Sequence, residues 1–208
     1  MLNSPISYVT SENIFTREEC QEIIEKGKSK GYGTGAKIGD INLNSGLPYN
    51  QLLNVDEKIR KTDLFFFSDN TVYERLMPHI SRINSEVGWN FSMSRFEPLQ
   101  LSVYNEGGHY DWHVDEHPTP YTEREGPFHN LVRKLSFSLI LTDKDYEGGE
   151  FEVEDQLPGY NPRSTMVDGL DKAGSIVVFP SFTPHKVHPV TSGTRYSLVG
   201  WICGEPWR

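Results

Sequence analysis

Cysteine is nearly absent: Cys20 and Cys203 are the only two in 208 residues. Two thiols cannot build a disulfide scaffold or an all-thiolate zinc site. Long apolar runs are missing as well. The longest, Leu64-Phe65-Phe66-Phe67 and Ile176-Val177-Val178-Phe179, fall far short of the ~20 residues a membrane helix needs. The opening Met1-Leu2-Asn3-Ser4-Pro5 has neither the charged start nor the apolar stretch of a secretory signal. Positive charge is in deficit, with 20 Lys and Arg against 29 Asp and Glu and a net charge of −9. That balance repels phosphate backbones and disfavours nucleic acid as a partner, and Arg60-Lys61 is too small a basic patch to reverse it. No internal repeat or low-complexity tail is present. From these absences a soluble, cytoplasmic chain with no membrane partner is expected. Its length suits one domain, 1–208, able to bury a core without staples.

What is present divides into a helical support region, 1–98, and a β core, 99–208. Thr16 and Glu19 fit a capping box opening a helix with Cys20, Ile23 and Ile24 on one face. Val72, Leu76, Ile80, Ile83 and Val87 follow helical spacing, and Gly88 suits the position just past the end. Pro78 falls inside this run and is expected to kink it or divide it in two. Residues 31–61 between the helices are rich in Gly and Asn, a loop long enough to suggest function. Their Gly31-Tyr32-Gly33-Thr34-Gly35 start follows a helix where a nucleotide-binding loop requires a strand, so that reading is discarded. From Leu99 the pattern changes to short strands, expected at 99–104, 110–115, 134–141, 150–154, 175–179, 185–190 and 194–203. Turn signals such as Glu106-Gly107-Gly108 and Glu147-Gly148-Gly149 separate them. Strands at this spacing without intervening helices predict a sandwich or barrel.

His113-Val114-Asp115 carries the first chemical signal. Residues two apart on a strand share a face, so an imidazole and a carboxylate can converge on one ion. A third ligand is available at His185 or His188, which lie three apart on a strand, so only one can join. Two histidines, one carboxylate and open positions describe the facial triad that holds non-haem Fe(II). His109 and His117 have the right parity but lie about 13 Å from His113 at ~3.3 Å per residue, too far for one ion. Arg195 follows His185 by ten residues, across the turn Thr191-Ser192-Gly193. If the two flanking strands pair, Arg195 lies deeper in the same barrel. There a guanidinium needs an anion, and its fork favours a carboxylate. Ser197 faces the same way and can add a hydrogen bond.

These blocks, taken in order, resemble the Fe(II)- and 2-oxoglutarate-dependent dioxygenases, and within them the prolyl 4-hydroxylase-like (PKHD-type) branch. The resemblance runs through Tyr104-Asn105-Glu106-Gly107-Gly108-His109-Tyr110-Asp111-Trp112-His113-Val114-Asp115 and Arg133-Lys134-Leu135-Ser136. It continues through Tyr146-Glu147-Gly148-Gly149-Glu150, Val178-Phe179-Pro180-Ser181, His185-Lys186-Val187-His188-Pro189-Val190 and Gly193-Thr194-Arg195-Tyr196-Ser197-Leu198. It implies a mainly β fold with N-terminal helices, a double-stranded β-helix (jelly roll) with iron at its open end. It implies His113, Asp115 and His185 as metal ligands, with His188 pointing away. Arg195 becomes the grip on the distal carboxylate of 2-oxoglutarate, where many prolyl hydroxylases have lysine, and Tyr104 a further contact to that co-substrate. Tyr110, Arg133 and Trp201 fall at positions that line the substrate side.

The implied reaction is hydroxylation of an unactivated C–H using Fe(II), 2-oxoglutarate and O₂, with ascorbate as reductant and succinate and CO₂ as co-products. Asp115 favours hydroxylation, because related halogenases lack this carboxylate. The implied substrate is a prolyl residue in a peptide or protein, with residues 31–61 and 117–130 as candidate lids. A free amino acid or other small molecule is the alternative substrate. A non-catalytic jelly-roll binding module is the alternative from another class, and it has no need of both histidines, the aspartate and Arg195.

Overall fold

The computed structural model describes residues 6–35, 58–117, 119–122, 126–155 and 161–207. Among them two antiparallel sheets face one another. The larger runs β1 (Val9–Ser11), β12 (Ile176–Pro180), β8 (Val132–Ile140), β15 (Arg195–Gly204), β6 (Leu99–Tyr104), β4 (Asp63–Phe67) and β2 (Tyr32–Gly35), with β5 (Arg95–Phe96) also paired to β15. The smaller runs β11 (Arg163–Met166), β10 (Phe151–Asp155), β13 (His185–Val187), β7 (His109–His113) and β3 (Arg60–Lys61). A short pair, β14 (Val190–Ser192) with β9 (Glu147–Gly148), links them. This is the double-stranded β-helix.

Alternation along the strands explains the layering. Leu99, Leu101 and Val103 of β6, Leu135, Phe137 and Leu139 of β8, and Ile176 and Val178 of β12 share one apolar cluster with Leu198 and Ile202 of β15. That face packs against helix α1 (Arg17–Lys30) through Cys20, Ile23 and Ile24, and against α2 (Asn70–Glu86) through Leu76, Ile80 and Ile83. The intervening residues include Gln100, Ser102, Ser136, Ser138, Arg195 and Ser197, all buried. With one face spent on the helices, the other face of the same sheet is free to carry polar groups inside the protein.

Both helices start and stop where their ends are satisfied. Thr16 and Glu19 form the reciprocal capping box of α1. The Asp69 carboxylate accepts from the Thr71 and Val72 amides to cap α2, and Gly88, at φ +80°, follows its end. Pro78 does not divide α2, which is one helix of 17 residues. Pro78 and Glu74, whose carbonyl loses its amide partner, are both exposed, so water can take the missing bond.

Other expectations change. The first third is not helical support alone: β1, β2 and β4 extend the larger sheet and β3 edges the smaller one. Their partners lie far along the chain, as in Phe65 opposite Leu101, so no local hairpin signal announces them. The strand expected at 185–190 is two, β13 and β14. Of residues 31–61, only 31–35 and 58–61 are described, so that candidate lid lies largely outside the described residues. The candidate lid at 117–130 is described except for residue 118 and residues 123–125. No described helix is long and apolar enough to cross a membrane.

Gly200 shows how tightly the helix-side face is filled. A Cβ there would stand 2.5 Å from Phe137 Cζ, in a ring with no exposed surface. Gly200→Ala is expected to lower stability by about 1–3 kcal/mol through overpacking, seen as a lower urea midpoint at unchanged slope.

Candidate active site

His113 ends β7 and His185 begins β13, and the two are directly paired across the strands. Their rings lie 4.1 Å apart between centroids. Asp115 lies beyond the end of β7 rather than on a strand. It reaches the same point because the Asp115 and Glu116 amides both donate to the Ser181 carbonyl at 2.9 Å. His113 Nε2 stands 3.7 Å from Asp115 Oδ1, and His185 Nε2 stands 3.6 Å from Asp115 Oδ2. One ligand atom from each residue falls within 4.8 Å of the others.

The donor chemistry suits a divalent cation. His113 Nδ1 is 2.8 Å from the Asp111 carbonyl and His185 Nδ1 is 2.9 Å from that of Thr183. Each carbonyl can accept only from a protonated Nδ1, which leaves Nε2 with its lone pair toward the cluster. Burial, then the neighbouring His185, pushes His113 well below the ordinary histidine range, so it is neutral. Burial would raise the Asp115 carboxyl, but His185, His113, Arg133 and the Ser136 hydroxyl outweigh it and bring it to about 2. Asp115 is therefore an anion, and its Oδ2 is buried with no hydrogen-bond donor. A buried carboxylate oxygen facing two imidazole lone pairs is a set that only a cation completes.

Across the chamber, Arg195 opens β15 opposite Tyr104 of β6. It does not share a hairpin with His185: β13 belongs to the smaller sheet and β15 to the larger, with β14 between them in sequence. Arg195 is only 1% exposed. Its Nη1 donates to Ser197 Oγ at 3.0 Å, its guanidinium lies 5.5 Å from the Tyr104 ring centre, and its Nε has no partner. Among the described residues no carboxylate lies within ion-pair distance of it. Gly149 makes room for this side chain, since a Cβ at its φ of +68° would stand 2.9 Å from Arg195 Cδ. A cleft open to solvent reaches Arg195 past Ile140, Tyr146 and Phe151.

The three aromatic and basic residues expected on the substrate side have distinct positions. Tyr110 stacks on His113 with ring centres 3.4 Å apart. Arg133 lies 3.9 Å over the Trp201 ring and donates to the Asp115 carbonyl at 3.2 Å. Its Nε and Nη2 grip both oxygens of Glu97 at 2.8 and 2.6 Å. Tyr121 OH and Cys203 Sγ donate to the same carboxylate, and burial together with the Glu97 charge pushes the Cys203 thiol up, so it stays protonated. Arg133 is thus neutralised within the protein, and Tyr121 ties part of the 117–130 segment to that pair. Glu97 carried no signal in the sequence: it stands alone between Phe96 and Pro98, and its partners come from remote segments.

The remaining histidines lie outside the cluster. His188 Nε2 pairs with Glu152 at 2.8 Å, and His109 meets the Gly107 and Lys58 carbonyls through its two ring nitrogens. His117 packs edge-on to Tyr121.

A two-histidine, one-carboxylate centre in a double-stranded β-helix defines a non-haem metal-dependent oxygenase architecture. The chain belongs to the 2OG-Fe(II) oxygenase superfamily, whose sequence model matches residues 99–203. It is 34% identical over 111 residues to a PKHD-type hydroxylase of Pseudomonas fluorescens, covering 51% of this chain and 42% of that one. A PKHD-type hydroxylase of Parvibaculum lavamentivorans is 39% identical over 108 residues, with the same coverages. The match thus spans less than half the length of these relatives. In fold the chain resembles a viral collagen prolyl hydroxylase from Paramecium Bursaria Chlorella virus-1, solved as a 2OG complex (TM-score 0.64, 16% identity, 96% and 97% of the two chains). It also resembles a Trichoplax adhaerens prolyl hydroxylase, solved with a hypoxia inducible factor peptide (TM-score 0.66, 17% identity, 97% and 84%).

The Glu97–Arg133 pair gives a stability prediction. Burial alone would raise the Glu97 carboxyl, but Arg133, with Tyr121 and Cys203, holds it below the usual range. A carboxyl depressed in the folded state contributes stability above its unfolded pKa of about 4.3. That contribution fades as pH falls through the lower folded value. Glu97→Gln is expected to cost about 3–5 kcal/mol at pH 7 by leaving a buried guanidinium unpaired. Urea midpoints should show this gap at neutral pH and a smaller one at about pH 3, below the unfolded carboxyl's pKa of about 4.3, where protonation of the unfolded chain erodes the wild-type contribution.

Proposed function

We propose that this chain is an Fe(II)- and 2-oxoglutarate-dependent hydroxylase acting on a prolyl residue in a peptide or protein, with succinate and CO₂ as co-products. The observation that supports the reading is two buried charges, Asp115 and Arg195, each with a polar atom left unpartnered among the described residues. Asp115 sits between two imidazoles held in the ligand tautomer, and Arg195 has no acid of its own. The first asks for a metal cation and the second for a carboxylate. A binding module that had lost its chemistry would gain nothing from keeping either.

His113, Asp115 and His185 would hold Fe(II), and Arg195, with Ser197 and Tyr104 beside it, the distal carboxylate of 2-oxoglutarate. Bound iron would supply O₂ activation coupled to decarboxylation of 2-oxoglutarate, with ascorbate as the reductant that keeps it ferrous. The chain's own residues do the positioning. The Asp111 and Thr183 carbonyls fix the two imidazoles, and the Ser181 carbonyl anchors the Asp115 backbone. Tyr110, stacked on His113, limits how that ring turns. Arg133 lies over Trp201 with its charge compensated by Glu97, and on the substrate side the two would offer a surface that suits an apolar ring such as proline. The prolyl hydroxylases of similar fold add to this reading.

Incubation with Fe(II), 2-oxoglutarate, ascorbate and proline-containing peptides should add one oxygen atom to proline, read by mass spectrometry. Succinate formation without peptide oxidation would move the substrate to a free small molecule. His185→Ala should lose Fe(II) while His188→Ala keeps it, measured by metal content after gel filtration. The reverse would exchange their roles. Arg195→Ala should raise KM for 2-oxoglutarate about ten- to a hundredfold, the loss of a buried charge-assisted contact. An unchanged KM would mean that the co-substrate binds elsewhere.

A further inference from the structure

Among the described residues, Arg60, Arg133 and Arg195 are buried or nearly so on strands of the two facing sheets, and their guanidiniums differ in how they are compensated. Glu97 neutralises Arg133. Arg195 is assigned a carboxylate of 2-oxoglutarate by the proposal above. Arg60 is left over. It sits on β3 in register with Tyr110 of β7, and only 6% of it is exposed. Its guanidinium lies 4.2 Å over the Tyr110 ring centre, and that ring in turn stacks on His113. Its Nε is buried without a hydrogen-bond partner, and no described carboxylate lies within ion-pair distance. The ring face attracts a cation but carries no net charge, so it does not neutralise Arg60.

Charge accounting says what is missing. Asp115 offsets one of the guanidiniums and Glu97 another. A divalent cation and a dicarboxylate dianion offset each other. Counted over the described residues, the loaded site therefore keeps one positive charge, in a buried setting where an uncompensated charge is expensive. The substrate is the remaining participant, and one negative charge on it would make the site neutral. We propose that Arg60 receives a carboxylate of the substrate. Tyr110 covers the guanidinium from one side, and the unpartnered Nε can supply one of the two parallel N–H bonds of the kind carboxylates accept. This rests on the hydroxylase reading and narrows its substrate class. The carboxylate comes either from an acidic side chain beside the target proline in a peptide or from a free amino acid.

The test compares acids with their amides on the iron-loaded wild-type protein in the presence of 2-oxoglutarate. One arm uses N-acetylated, amidated dipeptides in which proline is preceded or followed by Asp, against the same dipeptides with Asn. The other uses free proline against prolinamide. In one arm the acid should be oxidised with kcat/KM about ten- to a hundredfold above its amide, the value of a buried charge-assisted contact. The responding arm identifies the source of the carboxylate. Arg60→Gln should bring that ratio close to one by raising KM for the acid, and Arg60→Lys should restore part of it. Equal rates for acid and amide in the wild type would overturn the proposal. So would an Arg60→Gln loss that falls on acid and amide alike, the mark of mere support for Tyr110. Should the visible Fe(II)–2-oxoglutarate absorption band form while acid probes are neither oxidised nor perturb it, this inference fails alone. Absence of both the band and succinate would sink the hydroxylase reading itself.

Discussion

Asp115 is buried with one carboxylate oxygen unbonded, 3.6 Å from a histidine nitrogen, and the inner chamber is organised around that charge. Each surrounding contact either orients a partner for it or keeps it where it is. The Ser181 carbonyl fixes its backbone from one side and Arg133 holds its carbonyl from the other. The imidazoles facing it are turned by carbonyls two residues before each of them. Although its neighbours favour the ionised form, the unbonded buried oxygen costs free energy in the absence of a cation. Stability is therefore given up here for a site with the right donors already in place.

That cost is tolerable because the larger sheet is stabilised from its other face. Leu99, Leu101, Leu135, Phe137, Leu139, Ile176 and Val178 are fully or almost fully buried against the helices. The alternation of β-strands lets the same residues' neighbours line a polar interior. Fold and site are thus two faces of one sheet. Gly200 marks the packed face, where added volume meets Phe137, and Gly149 the chamber face, where it meets Arg195.

Charges in the chamber fall into two groups. The Glu97–Arg133 pair is satisfied internally, with Tyr121 and Cys203 completing the carboxylate's bonds, and behaves as structure that also supports Asp115. Asp115, Arg195 and Arg60 each keep a buried polar atom without a partner among the described residues, and each belongs to the proposed binding of a ligand. Satisfaction, rather than proximity to the metal ligands, separates scaffold from recognition here.

Much of this was legible in the linear chain. The capping box at Thr16, the helical spacing from Val72 to Val87 and the strand β6 all depend on short-range periodicity, whereas the choice of His185 to join His113 and Asp115, a cluster the structure shows, rests on the family resemblance and not on spacing. The strands β1 to β4 were not legible, because they pair with segments distant in the chain. Nor was the placement of His185 and Arg195 on opposite sheets, since a turn between two strands does not decide whether they pair. Glu97 and Arg60 stayed hidden for the same reason: a lone acidic residue and a two-residue basic patch look like surface until the fold buries them. The sequence by itself determined which donors the chain carries and the faces on which they alternate, because those follow from covalent spacing. Only the tertiary structure decided which of its charges are compensated, because counter-charges are brought together by long-range packing.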